Sequence, residues 1–421
     1  FADSRNTMDS SLLLAKPSPS SSSRCAKISI AVNVALATIG FIAVASNGAP
    51  TQLAQPVRAA NPTTFSAHSM AGISHMGMSA MRRPQQQFNF APMNRGARHS
   101  MKMQAVDSSV ATEQSTTIEE FLANTEPKLQ KAIMGMFSAC KEIGYKIRTA
   151  SCDKQACFNA FGDEQLAIDV LADNVIFENL RASGAVATAS SEEEPTEVPL
   201  GGEGYSVAFD PLDGSSIIDT NFAVGTIFGI WPGSKLTGIK GTEQKAAGLG
   251  VYGPRTTITL AVDGIQGAHE FLLIDDYSAK HGQWVLSQSF MSIGEGKLFA
   301  PGNLRATKDN KGYEELFNYW YDNQYQLRYT GGMVPDVNQI MVKGKGVFVN
   351  AESKAAKAKL RLLYEVAPIG YVIEKAGGKS SDGEQSVLNI EVVGTEDRTQ
   401  VAYGSAAEVD RFEQMVGKKY L

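Results

Sequence analysis

Several short acidic strings in the sequence have the residue types and spacing to hold a hard cation beside an anion. In SVAFDPLDGSS, residues 206–216, Asp213 follows Asp210 by three positions, so a turn can fold two carboxylates around one oxygen-seeking ion such as Mg²⁺. Gly214, Ser215 and Ser216 come next and have no bulk to keep an oxyanion from their backbone N–H groups. Metal-binding carboxylates next to phosphate-binding amides point to metal-assisted phosphoryl chemistry. The same string also suits an Asx-rich surface turn, so the other acids weigh in the choice.

In GDEQLAIDVLADNVIFENL, Asp163 stands where a helix begins, either as a simple N-cap or as a ligand. Asp169 lies about 120° further round such a helix. To serve one site, Asp163 must reach from the loop while Asp169 points from the helix. SSEEE, residues 190–194, supplies Glu192, Glu193 and Glu194, a pattern that is usually a solvated patch. In KLRLLYE an extended backbone would put Lys359, Arg361, Leu363 and Glu365 on one face, two cations and a carboxylate suited to phosphate and metal together. An exposed edge strand is the alternative, but Leu360, Leu362 and the apolar helix that follows argue for burial. Asn310 and Tyr313 flank the start of a helical stretch, and Arg328 and Tyr329 precede a glycine pair.

The elements that must position these residues are legible in outline. Val207 and Phe209 alternate with polar or small neighbours, predicting a half-buried strand that delivers Asp210 and stops at Pro211. Residues 116–141 show helical spacing, with Thr117 and Glu120 placed for a capping box and a break or kink near Pro127. Leu166, Val170, Leu171, Val175, Ile176 and Leu180 mark an amphipathic helix. TNFAVGTIFGIW, GVYGPRTTITLAV, EFLLID and QWVLSQS read as strands of an antiparallel or mixed sheet. A second half starts near Pro301 with helical stretches, the strand GVFVN and a helix ended by Gly377 and Gly378. The sequence has no internal repeat.

With four cysteines, Cys25, Cys140, Cys152 and Cys157, the chain is not a disulfide-built scaffold. Cys152 and Cys157 cannot share a helix face, but a loop can bring them together. A bridge closing so short a loop contributes only about 2 kcal/mol by chain entropy. It is a poor staple and a plausible switch; two unrelated buried thiols are the alternative.

The first hundred residues differ in kind from the rest. Residues 1–106 hold ten Lys and Arg against two Asp, which leaves 29 Lys and Arg against 42 Asp and Glu, a charge of −13, for the remaining chain. Arg24 and Lys27, the apolar span 28–44 and the small residues after it are the parts of a signal peptide. A single membrane anchor is the alternative, at about 17 apolar residues a short one. Residues 50–103 carry arginines but no acid, as a transit peptide does. The mature protein is expected to start near residues 100–110. Its acidic body should repel nucleic acid and anionic membranes.

GDEQLAID, SEE, FDPLDGSS, RYTGGMVPD and KLRLLYE, in this order, resemble the fructose-1,6-bisphosphatase family of sugar phosphatases over residues 115–418. YGPRTT, DRTQVAYGS and the short cysteine pair resemble the plastid branch of that family that acts on sedoheptulose 1,7-bisphosphate. Asn350, where fructose enzymes usually have a tyrosine, favours the seven-carbon sugar. The resemblance implies an α/β sugar phosphatase fold, layered α-β-α-β-α with mixed sheets. It implies a leader over 1–105, a metal- and phosphate-binding half over 106–300 and a sugar-binding half over 301–421. Implied metal ligands are Asp163, Glu192, Asp210, the Leu212 carbonyl, Asp213 and Glu365. Asp169 and Glu193 match the acids that position and deprotonate water, although with three consecutive glutamates a one-residue shift exchanges ligand for base. Asp213, Gly214, Ser215 and Ser216 match the 1-phosphate cradle, and Asn310, Tyr313, Tyr329, Lys359 and Arg361 the distal phosphate and sugar site. Arg328 matches an arginine supplied across a subunit interface, implying at least a homodimer. The implied activity is Mg²⁺-dependent hydrolysis of the sugar 1-phosphate in the carbon-fixation cycle. Fructose 1,6-bisphosphate, alone or as a second substrate, is the alternative. The implied setting is a plastid (chloroplast) stroma, and the signal-plus-transit leader is similar to those of complex plastids acquired through secondary endosymbiosis; Cys152 and Cys157 would be reduced there by thioredoxin.

Overall fold

A computed structural model describes residues 116–148, 154–158, 164–276 and 278–418, with backbone alone at 154–158 and 164–166. The leader, Cys152 and Asp163 lie outside the described residues, as does the Cys157 side chain. Among the described residues, no helix is long and apolar enough to cross a membrane.

Thr117 and Glu120 close the expected capping box at the start of the short helix α1 (Ile118–Phe121). Pro127 then opens a new helix, α2 (Pro127–Lys146), at a position where its missing N–H costs nothing; the chain breaks there rather than kinks. The helix expected from residue 163 onward starts later. Strands β1 (Lys154–Phe158) and β2 (Glu164–Leu166) pair antiparallel, and α3 (Ala167–Ser183) begins only after them. The helix therefore starts four residues beyond position 163. The apolar periodicity of this stretch carried no sign that its first residues are tied into a ladder.

Eight strands form a mixed sheet in the order β11-β10-β9-β8-β6-β5-β3-β4. These are β3 (Val186–Ser191), β4 (Val198–Pro199), β5 (Tyr205–Asp213), β6 (Val224–Pro232), β8 (Ala246–Tyr252), β9 (Thr256–Val262), β10 (Ala268–Leu273) and β11 (Trp284–Phe290). Only β3 and β5 run parallel. A second mixed sheet, in the order β13-β12-β14-β17-β15, comprises β12 (Gly294–Gly302), β13 (Gln326–Leu327), β14 (Lys345–Asn350), β15 (Lys379–Ser381) and β17 (Val401–Gly404). The short strands β7 (Ile239–Lys240) and β16 (Glu391–Val392) pair with each other.

The period-2 alternation of each strand sends its side chains to two different cores. Phe209 and Phe228 pack under α1, α2 and α3, whereas Ala208 and Ile227 face α5 (Met333–Lys343) and α6 (Ala367–Lys375). In β14, Phe348 faces that same middle layer, while Val347 and Val349 face α4 (Lys311–Asp322) and α7 (Ala406–Met415). The result is the five-layer α-β-α-β-α order, and a strand between two helical layers is covered on both faces. For that reason β5 is buried throughout its interior rather than half-buried.

Candidate active site at the end of the parallel strand pair

Strands β3 and β5 lie side by side and parallel, with Ser191 opposite Phe209, so the residues that follow emerge together at one edge of the sheet. Glu192 donates its backbone N–H to the Phe209 carbonyl, at 3.1 Å, and Asp210 is the next residue on β5. Glu365 joins them from the second half of the chain. One carboxylate oxygen from each of Glu192, Asp210 and Glu365 lies within 4.8 Å of the other two. Asp210 and Glu365 are buried, at 4% and 5% exposure, and Glu192 is half-buried. SSEEE is thus an exit from a strand into this cluster, not a solvated patch.

Glu365 does not arrive on an extended strand. Arg361 makes only an isolated bridge with Arg398, and residues Leu362–Val366 form a π-helical turn that runs into α6. Leu362, Leu363, Tyr364 and Val366 are all buried, so the segment has no solvent face and no use for a period-2 alternation. Within the turn Glu365 folds back and its Oε2 accepts the Arg361 backbone N–H at 2.6 Å. Single π turns inside helices recur at functional sites.

Nor does Pro211 end the strand. β5 continues to Asp213, with the register shifting between Asp210, opposite Ile227, and Asp213, opposite Gly225. The neighbouring β3 ends opposite Phe209, so the missing N–H of Pro211 breaks no ladder bond on that side. In this bulge Asp210 Oδ1 accepts the Leu212 N–H at 2.9 Å. Asp213 leaves the bulge toward α5, where its carboxylate accepts the N–H groups of Met333 at 3.2 Å and Val334 at 2.6 Å. Gly225 makes this approach possible, because a Cβ there would stand 2.4 Å from the Val334 side chain.

Packing these acids together holds their protons. Burial, reinforced by the charges of Glu192, Asp213 and Glu365, pushes the Asp210 carboxyl well above the usual range. Glu365 is likewise pushed well up, by burial and then by Glu192. Burial raises Glu192 although the Arg361 guanidinium opposes it, and raises Asp213 to about 7 although two helix amides oppose it. Such a set of hard oxygen donors, costly to ionise alone, fits a divalent cation that would let them ionise together.

Arg361, 6% exposed, donates through Nη1 to Glu192 and through Nε to Glu396 at 3.2 Å. Gly214 has φ = +83° and starts a 3₁₀ turn, Ser215–Thr220, whose first amides precede its first internal acceptor. A small cavity of about 70 Å³ next to Asp213 is lined by Tyr329, Gly332, Asn350 and Leu360. A larger one, about 480 Å³ and lined by Phe121, Tyr205 and Lys245 among others, lies at the opposite end of β5, away from the acids.

Asp169 is buried in the first turn of α3, and Glu193 is half-buried beside Glu192. Lys359 and Arg328 are exposed, and Arg328 Nη1 donates to the Leu327 carbonyl at 3.1 Å. Asn310 caps α4 by accepting the Tyr313 N–H, at 3.1 Å, and donates to Glu352 O at 2.8 Å. Tyr313 is fully buried and its hydroxyl donates to Gly302 O at 2.6 Å. The structure therefore brings together Glu192, Asp210, Asp213, Glu365 and Arg361, while Asn310 and Tyr313 are engaged in packing.

Two participants were not anticipated. Asp173 accepts from Ser191 Oγ at 2.5 Å, and burial, with the charges of Glu194 and Asp169, raises it to about 7. Its spacing of four from Asp169, one helical turn, was a signal available in the sequence. Glu396, the partner of Arg361, sits in a loop with no local pattern to mark it.

Residues 109–289 match the family described as fructose-1-6-bisphosphatase, N-terminal domain, and residues 293–417 its C-terminal domain. The chain is 57% identical over 317 residues to a protein of Spinacia oleracea named sedoheptulose-1,7-bisphosphatase, chloroplastic, an alignment covering 74% of this chain and 81% of the relative. It is 38% identical to a fructose-1,6-bisphosphatase class 1 of Geobacter metallireducens, over 66% of this chain and 88% of the relative. Among solved structures, the Leishmania major fructose-1,6-bisphosphatase in holo form superposes with a TM-score of 0.66 at 29% identity, covering 72% of this chain and 99% of that one.

Proposed function

Because the chain belongs to the fructose-1,6-bisphosphatase family and is a sugar-bisphosphate phosphatase, we propose that it hydrolyses the 1-phosphate of sedoheptulose 1,7-bisphosphate in a Mg²⁺-dependent reaction. The observation that carries this reading is the convergence of Glu192, Asp210 and Glu365. These three, with Asp163, Asp213 and the Leu212 carbonyl, are the proposed metal ligands. When bound, divalent ions at such a site neutralise phosphoryl charge and lower the pKa of water. The residues of the chain do the rest. The Gly214, Ser215 and Ser216 amides cradle the phosphate. Arg361, braced by Glu396, presents a cation at the rim of the acid cluster. Asp169 and Glu193 orient the attacking water and take its proton. Lys359, Tyr329, Asn310 and Tyr313 receive the sugar and its distal phosphate, for which the Tyr313 hydroxyl must leave Gly302.

Identity to chloroplastic relatives and a leader with only two acidic residues support action in a plastid stroma, in the carbon-fixation cycle. The Cys152 and Cys157 pair, just ahead of the Asp163 segment, supports control by a dithiol such as thioredoxin. Exposed Leu327 and Tyr329 flank Arg328 in the chain, and Tyr321 is exposed at the end of the preceding helix, which supports a homodimer through this segment. Phosphate release by the reduced protein from sedoheptulose 1,7-bisphosphate and from fructose 1,6-bisphosphate, with and without Mg²⁺, tests the reading. A higher kcat/KM on the seven-carbon sugar is expected; a preference for fructose 1,6-bisphosphate overturns the substrate assignment and leaves the chemistry standing.

A further inference from the structure

Thr226 holds a position that ladder geometry alone does not explain. Asp210 lies opposite Ile227 and Asp213 opposite Gly225, so Pro211 and Leu212 together face Thr226 alone. A bulge of this kind takes the extra residue out of the ladder and needs another partner for its carbonyl. Thr226 Oγ1 is that partner, donating to Pro211 O at 2.8 Å. Because a carbonyl only accepts, the Thr226 proton is committed, and its oxygen must accept from Tyr252, whose hydroxyl lies 2.7 Å away. Cys140 of α2 lies beside this pair.

Thr226 is fully buried, and Tyr252 and Cys140 nearly or fully so. The three side chains meet over Gly250, where a Cβ would stand 3.3 Å from Cys140 Sγ, 3.5 Å from Tyr252 Oη and 3.6 Å from Thr226 Cβ. Both donors in this row therefore point one way, from Tyr252 of β8 through Thr226 of β6 to the peptide between Asp210 and Asp213.

We propose that Thr226 and Tyr252 are positioning residues that fix the Pro211 peptide, and with it the splay of the Asp210 and Asp213 carboxylates and the direction of the Leu212 carbonyl. This rests on the proposed metal site and adds to it an outer support that none of the acidic motifs contains. Groups that orient metal ligands without touching the ion commonly change affinity by about 10- to 100-fold when removed.

The test is titration calorimetry of the full chain with Mn²⁺ alone, without substrate, on wild type, Thr226→Val, Thr226→Ser and Tyr252→Phe. Thr226→Val keeps shape and loses the hydroxyl; its Kd should rise about tenfold. Thr226→Ser should bind as wild type does, and Tyr252→Phe should weaken binding by about threefold, since it leaves the bond to Pro211 in place. In turnover, the Val variant should need more Mg²⁺ yet recover most of its kcat at saturation, a split that a merely loosened fold does not produce. Thr226→Val with a wild-type Kd overturns the proposal, as does a Ser variant as weak as the Val one. Should the Val variant not fold, an unchanged Kd in Tyr252→Phe overturns it. Wild type that takes up no Mn²⁺ overturns the metal site itself, an outcome distinct from the others.

Discussion

The Asp213 carboxylate accepts the backbone N–H of Val334 at 2.6 Å, so an acid of the DPLDGSS string caps a helix more than a hundred residues further along the chain. The same side chain therefore contributes to the acid cluster and to the seam between the two sheets.

Replacing Asp213 by Ala should separate these roles. Turnover should fall by at least about 10²-fold, as expected when charge stabilisation at a reaction centre is removed. Stability should change little. Loss of the cap costs about 1 kcal/mol, while loss of a buried acid relieves Asp210 and Glu365. Melting in EDTA within a few degrees of wild type, with activity abolished, is the expected pair of results; full activity contradicts the site.

The pH dependence of stability has a definite sign. Asp210, Asp213, Glu192 and Glu365 have folded-state pKa values raised above their unfolded ones. Their protonated forms suit the fold, so stability is complete below the unfolded values, at about pH 4, and is lost as pH rises through the folded values, about 7 for Asp213. Melting temperature in EDTA should therefore drop across this window, and Mg²⁺ should restore more at pH 8 than at pH 5. Equal Mg²⁺ shifts at both pH values would contradict this origin.

Glu365→Gln should be more stable than wild type without metal at pH 8 and less responsive with it. The amide removes one negative charge from the cluster and one ligand. A rise of a few degrees in EDTA, with the Mg²⁺-induced shift largely gone, is the expected calorimetric result.

Arg361→Met should lower stability by about 2 kcal/mol, between the values for exposed and for buried pairs, because Glu192 and Glu396 both lose their cation. Denaturant titration measures this, and KM for the bisphosphate should rise at the same time. A silent substitution would show that the guanidinium belongs to neither.

Cys157→Ser should be active without dithiol, whereas wild type should need it. Dependence on reductant in the variant would remove Cys152 and Cys157 from control of the site.

Much of this arrangement was legible because strand order and acid chemistry leave local marks. VAFD reads as a strand carrying an acid, and DPLDGSS as carboxylates followed by a small-residue turn; the strand is there, running on through Pro211 to Asp213 before the turn at Gly214. What stayed hidden depends on neighbours remote in sequence. The bulge at Pro211 exists because β3 stops short and Thr226 supplies a hydroxyl. The turn at Glu365 is π-helical because every side is covered. Asn310 also caps α4, and the Glu352 carbonyl that holds its amide lies far along the chain, where no local pattern announces it.

Anomalous diffraction from crystals soaked in Mn²⁺ tests most directly whether the converging acids hold metal. A peak bonded to oxygens of Glu192, Asp210 and Glu365 is the predicted result. Full Mg²⁺-dependent turnover in a protein whose peaks all lie elsewhere would contradict it.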